Sequence, residues 1–252
     1  MIAEKQLLEI KDMLLKAENP LFLFDDDQDG LCSFLLLWKL TQKGKGLPIK
    51  GKFTDSFLEK IQREKADLII ILDKPVIEED FLQAIHTTII HIDHHHPLAL
   101  EAGHYHYYNP RIENDADNRP TSYWVYQITK QNLWIAMVGI IGDWYIPTDL
   151  IGEFQNDYPT LIPEAKHPGQ IIFDTPFGVL IRTFIFSLKG KSEDTNQCMK
   201  ILTRIENPWE IMKQESSRGK FIWGHYLQME KKYQKTLEEA MKVKTRGKII
   251  LY

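Results

Sequence analysis

Cysteine is nearly absent from this chain. Its 252 residues include only Cys32 and Cys198, too few for a disulfide framework or a thiolate metal site. A structural zinc centre is therefore excluded, and a reducing, cytoplasmic location is the expectation. Long apolar runs are missing as well. The longest, LCSFLLLWKL at 31–40, is too short to span a bilayer and contains Lys39, so no membrane association is expected. No basic–apolar–small pattern at the start marks a secretory signal, and neither internal repeats nor low-complexity tracts occur. What remains is the composition of a soluble globular protein, long enough for one large domain or two small ones.

Charge is unevenly spread. Residues 211–252 carry ten Lys/Arg against four Glu, while the other 210 residues carry 21 basic and 31 acidic side chains. A basic tail on an acidic body fits either an anionic partner or a solvated amphipathic helix.

Hydrophobic periodicity predicts helices over 2–17, 57–65, 77–85 and 121–131, and one from the acidic cluster through about Leu40. LFLF (21–24), LIIILD (68–73) and TTIIHID (87–93) are short apolar runs, the signature of strands buried on both faces. HYHYYNP (104–110) has strand-like composition and stops at Pro110. Alternating strands and helices predict an α/β fold: a mostly parallel β-sheet with helices on both faces. NLWIAMVGIIGDW (132–144) reads as a buried helix, 145–177 as irregular, and the chain from 178 onward as helical, with a long basic helix at about 221–245. The final KIILY looks like a strand without a partner. The expected division is a catalytic domain over 1–190 and a helical extension over 191–252.

One stretch demands explanation. In LFLFDDDQDGLCS (21–33), four of the five residues from Asp25 to Asp29 are acidic and directly follow an apolar run. Crowded carboxylates repel and raise one another's pKa, so a positive partner is expected. Asp25-x-Asp27-x-Asp29-Gly30 matches the opening of an EF-hand loop, but position twelve, where that loop needs a bidentate Glu, is Leu36. A calcium loop is excluded. An acidic surface turn would explain one Asp-Gly pair. Three aspartates at period two would instead project to one side of an extended segment, at the carboxyl end of a strand, where open α/β sheets place ligands. The other apolar elements end in the same chemistry: Asp73 after LIIIL, Asp93-His94-His95-His96 after TTIIHI, and Asp143 after GIIG. Each alone could be a cap or a polar loop. Together they form an oxygen-and-imidazole set suited to manganese or magnesium.

These motifs resemble the DHH phosphoesterase superfamily over roughly residues 20–145: DDDQDG (25–30), Asp73, DHH (93–95) and GIIGD (139–143), in that order. The Asp-x-Asp-x-Asp-Gly form is most similar to RecJ-type and archaeal RecJ-like nucleases, with Asp25 where many relatives have His. The resemblance implies a DHH-type Rossmann-like domain and two manganese ions, magnesium being the alternative. Asp25, Asp27 and Asp73 would hold one ion, and Asp29, Asp73, His94 and Asp143 the other. His95 would face the scissile phosphate, with Asp93 orienting a neighbouring imidazole; His96 is left without a role. Arg111, Lys74 and Arg119 are candidate phosphate contacts, and Trp144, Tyr145 and Tyr108 candidate stacking platforms. The family's Gly-Gly-Gly-His lobe has no counterpart here, so either a chain cut after the connecting helix or a one-lobe form is expected.

The implied activity is a metal-dependent phosphodiesterase, a single-strand-specific exonuclease on DNA or RNA, with single-stranded nucleic acid or short oligonucleotides as partners and a link to replication or repair proteins. The alternatives are hydrolysis of small phosphoesters (short oligonucleotides, cyclic dinucleotides or pyrophosphate) and a replication-associated scaffold related to these nucleases.

Overall fold

The computed structural model describes residues 1–163 and 167–242; KIILY lies outside them. Two compact units make up the chain, Met1–Ile181 and Arg182–Tyr252.

The first unit is built on five parallel strands: β1 (Pro20–Asp25), β2 (Lys45–Ile49), β3 (Leu68–Leu72), β4 (Ile89–Ile92) and β5 (Tyr105–Tyr108). Their order across the sheet is β2-β1-β3-β4-β5. The two central strands are apolar at nearly every position because helices cover both faces, which leaves no side for polar residues. Each buried Phe, Leu or Ile there contributes about 1.5–3 kcal/mol by leaving water. β2 was not foreseen. It is an edge strand containing Gly46 and Pro48, residues that are depleted from strand interiors and tolerated at an edge.

Strand register fixes the position of the site. Phe24 pairs with Leu72, and Leu72 with Ile92. The next residues, Asp25, Asp73 and Asp93, therefore emerge side by side at the carboxyl edge. The chain leaves β1 toward β2 on one side, then crosses to β3 on the other. That reversal between β1 and β3 is the crevice where doubly wound sheets bind ligands.

Helix α2 (Gln28–Thr41) starts at that crevice and is buried along most of its length against α5 (Thr121–Thr129) and α6 (Leu133–Gly142). Gly30 permits the tight turn into it: a Cβ there would sit 2.6 Å from the Asp25 carbonyl oxygen. α1 (Glu4–Lys16), α3 (Asp55–Glu64) and α4 (Glu79–Ala84) complete the expected helices. The 145–177 stretch, expected to be irregular, contains two short helices, α7 (Ile151–Asp157) and α8 (Pro168–Asp174). Both are held by single buried faces, around Phe154 and around Ile171 and Ile172. α9 (Pro176–Ser187) carries the chain across the division between the units.

In the second unit α10 (Ser192–Leu202), α11 (Pro208–Met212) and α12 (Ser217–Met241) are joined by short turns. Glu210 fixes the α11–α12 corner by accepting from the Glu206 backbone N–H at 2.7 Å and the Ser216 hydroxyl at 2.7 Å. Among the described residues, no single helix is long and apolar enough to cross a membrane.

Candidate metal centre

The acidic stretch does not run on as a strand. Strand β1 ends at Asp25; Asp27, still extended, is the N-cap of α2, and Asp29 already lies in its first turn. The period-two expectation therefore fails at Asp29, and the strand-to-helix turn groups these carboxylates instead. Each meets a different partner. Asp25 Oδ1 lies 2.5 Å from Lys74 Nζ. Asp26 faces Lys50 at 3.7 Å. Asp27 accepts from the Gly30 N–H at 2.9 Å, an ordinary cap. Asp29, fully buried, accepts from the backbone N–H groups of Thr121 (2.8 Å) and Ser122 (2.9 Å). It thus sits on the positive end of α5.

Asp73 terminates β3 with φ +58°, a left-handed conformation that costs a non-glycine residue strain. Its Oδ1 accepts from the Thr121 hydroxyl at 3.1 Å and lies 3.4 Å from His94 Nε2. His94 Nε2 is also 3.4 Å from Asp143 Oδ2 and 4.0 Å from Asp29 Oδ2. A backbone hydrogen bond to Asn118 holds the His94 ring, the arrangement usual for a ligand imidazole. Asp143 caps the end of α6. Four separate segments thus bring Asp29, Asp73, His94 and Asp143 together. Two overlapping triads have donor atoms all within 4.8 Å of one another: Asp29, His94 and Asp143; and Asp73, His94 and His95.

Electrostatics separates these residues from ordinary surface acids. Burial, then the charges of Asp29 and Asp27, pushes Asp143 up to about 8. Burial with the Asp29 and Asp25 charges lifts Asp27 to about 6, partly offset by the Gly30 N–H. Asp73 is raised well above the usual carboxylate range by burial and four neighbouring aspartates. Burial and mutual repulsion therefore favour proton uptake at these groups when no cation is bound. A cation-like donor set also fits by size: an octahedral site with bonds of about 2.1 Å spaces adjacent ligands about 3 Å apart, close to the separations around His94.

Asp93 behaves differently. It accepts from the His95 backbone N–H (3.2 Å) and ring Nδ1 (2.8 Å), the Tyr107 hydroxyl (3.3 Å) and Asn109 Nδ2 (3.2 Å). Burial works against its charge, but those donors and the nearby imidazoles outweigh it and lower its pKa. The pair orients His95, whose ring is 40% exposed. Burial disfavours the His95 imidazolium, yet the Asp93 hydrogen bond and charge raise its pKa. His96 is exposed. His91 is buried against Tyr105 and Tyr107.

The candidate substrate contacts are dispersed. Lys74 is buried and paired with Asp25. Arg111 pairs with Asp115 at 2.8 Å. Arg119 makes a two-pronged pair with Asp117 and stacks over Trp124 at 4.3 Å, in the wall of a cavity of about 430 Å³ between α1 and α5. Trp144 stands exposed beside Asp143 with φ +62°, its ring 6.2 Å from the exposed Phe173. Tyr108 is buried in β5. Thr121, Ser122, Asn109, Tyr107 and Phe173 were not foreseen. The signals available were the Asn-Pro and Pro-Thr-Ser sequences that start the turn after β5 and helix α5.

No family model and no curated protein matches the sequence. Solved structures do match by shape. A crystal structure of exonuclease RecJ bound to manganese superposes with a TM-score of 0.64 at 14% identity, covering 96% of this chain and 69% of that one. RecJ from Thermus thermophilus in complex with Mn2+ gives 0.62 at 14% identity, over 94% of this chain and 38% of that one. The DHH domain of a member of the s1p family of ribosomal proteins gives 0.61 at 13% identity, over 94% of this chain and 62% of that one. The chain therefore spans only part of the length of each. With five parallel strands, surrounding helices and a helical carboxyl-terminal part, this chain has the α/β fold of the RecJ and DHH-domain structures.

Proposed function

We propose that the chain is a divalent-metal-dependent phosphoester hydrolase acting on single-stranded nucleic acid. The observation that carries this reading is the meeting of Asp29, Asp73, His94 and Asp143, drawn from four segments, at the switch point of the sheet. Three oxygens and one imidazole suit manganese or magnesium, and two of the similar structures hold manganese. When bound, such a cation supplies Lewis-acid polarisation of a phosphoryl oxygen and a more acidic water.

The chain's own residues do the rest. Thr121 and Ser122 hold Asp29, and Thr121 holds Asp73, so the donors are aligned before any ligand arrives. Asp93 accepts from His95 Nδ1–H, so that in the imidazolium form Nε2–H donates to the scissile phosphate or passes its proton to the departing oxygen. The Asp93 hydrogen bond and charge favour the imidazolium that this donation requires. Trp144 and Phe173 offer exposed rings beside Asp143 for an unpaired base.

The test compares an end-labelled single strand, a cyclic dinucleotide and pyrophosphate, each with manganese. Shortening of the strand is expected. An intact strand alongside turnover of a small substrate would overturn the nucleic-acid reading, and no turnover of any would overturn hydrolysis.

A further inference from the structure

The resemblance to DHH phosphoesterases implies two cations, one of them held through Asp25. Here that place has an occupant from the chain itself. Lys74 directly follows Asp73, its side chain is only 7% exposed, and its ammonium lies 2.5 Å from Asp25 Oδ1. A buried ammonium needs a carboxylate partner. The left-handed turn at Asp73 lets two consecutive side chains serve different carboxylates: Asp73 joins His94, while Lys74 engages Asp25. Among the described residues, the triads with donors close enough to share an ion draw on Asp29, Asp73, His94, His95 and Asp143, and none includes Asp25.

We propose that Lys74 replaces the first cation, so that this chain takes one divalent ion, on Asp29, Asp73, His94 and Asp143. The inference rests on the metal-centre reading above and adds the number of ions. The ammonium neutralises Asp25 and at the same time repels a second divalent ion from the Asp25–Asp27 side. Asp27 caps α2 through Oδ1 and also shares a side-chain hydrogen bond with Asp73.

The experiment titrates the metal-free full chain with Mn2+ by calorimetry and records the electron paramagnetic resonance spectrum at saturation. One Mn2+ per chain and an uncoupled six-line spectrum are expected. Two ions with a spin-coupled spectrum in the unmodified chain would overturn the proposal while leaving the metal centre standing. No binding would overturn the metal-centre reading itself. In Lys74→Met, a second and weaker ion with a coupled spectrum is expected; a variant that still takes one would show that Lys74 is not what excludes the other. The count in the unmodified chain stands whether or not the variant folds.

Discussion

Two aspartates end adjacent strands in almost the same way, yet they face opposite demands. Asp73 follows β3 and Asp93 follows β4, and both are at most 1% exposed. Asp93 is surrounded by donors from His95, Tyr107 and Asn109, and its pKa falls. Asp73 has one hydroxyl donor, the Thr121 side chain, and faces Asp27, Asp29, Asp93 and Asp143, so its pKa rises. Burial is common to both; the partners decide the sign. Asp93 is built to be a carboxylate in the protein alone. Asp73 is disfavoured as one by its surroundings, and a bound cation would reverse that.

Substitution should separate the two. On the proposed assignment Asp73→Asn removes a ligand, and hydrolysis of a labelled strand is expected to fall by about a hundred- to a thousandfold, the range of losses when charge stabilisation is removed. Retained turnover would break the assignment. The His95→Gln variant should lose about a hundredfold in kcat, as expected for a general acid. Its rate should also lose the decline at alkaline pH that deprotonation of the raised imidazole produces.

Stability sharpens the contrast. In chelator, Asp93→Asn is expected to cost about 1–3 kcal/mol, because buried donors lose their acceptor. Asp73→Asn should leave the melting temperature unchanged or higher, because repulsion is relieved. The pH dependence follows the same logic. Asp27, at about 6, and Asp143, at about 8, lie above an unfolded value near ~4. At these two groups the folded metal-free chain binds more protons than the unfolded one, so their contribution to stability falls as pH rises, whereas His91 and His94, lowered by burial, act oppositely below about pH 6.5. Asp93 acts oppositely: its contribution is present above the unfolded value and lost as pH drops through the folded one. Thermal melts above about pH 6.5, where Asp143 and Asp73 still lose protons, should therefore decline toward pH 8 in chelator, and saturating Mn2+ should flatten the decline. The smallest effect is expected at Trp144→Ala, with KM for a single strand rising several-fold, the loss of about one stacked base.

Much of the sheet was legible because buried parallel strands read as unbroken apolar runs. PLFLF, LIIIL and IIHI could hardly be anything else, and their terminal aspartates marked the crevice. β2 was hidden because an edge strand tolerates Gly46 and Pro48. The two helices in 145–177 are too short to show a period among their Pro and Gly residues. In the site, the residue types were legible, but their partners were not. The Asp25–Lys74 pair spans 49 positions, and the Asp29–Thr121 bond spans 92; neither leaves a local signature. The donors on Asp29 are backbone N–H groups, which no side-chain pattern reports. The same blindness allowed Asp25, Asp27 and Asp29 to be read as one row, when each has its own partner.

The most direct test is anomalous diffraction at the manganese edge from crystals of the chain grown with Mn2+. The expected result is a peak within bonding distance of Asp29, Asp73, His94 and Asp143. A map with no peak among these four residues, or with manganese bound elsewhere on the chain, would contradict the metal centre.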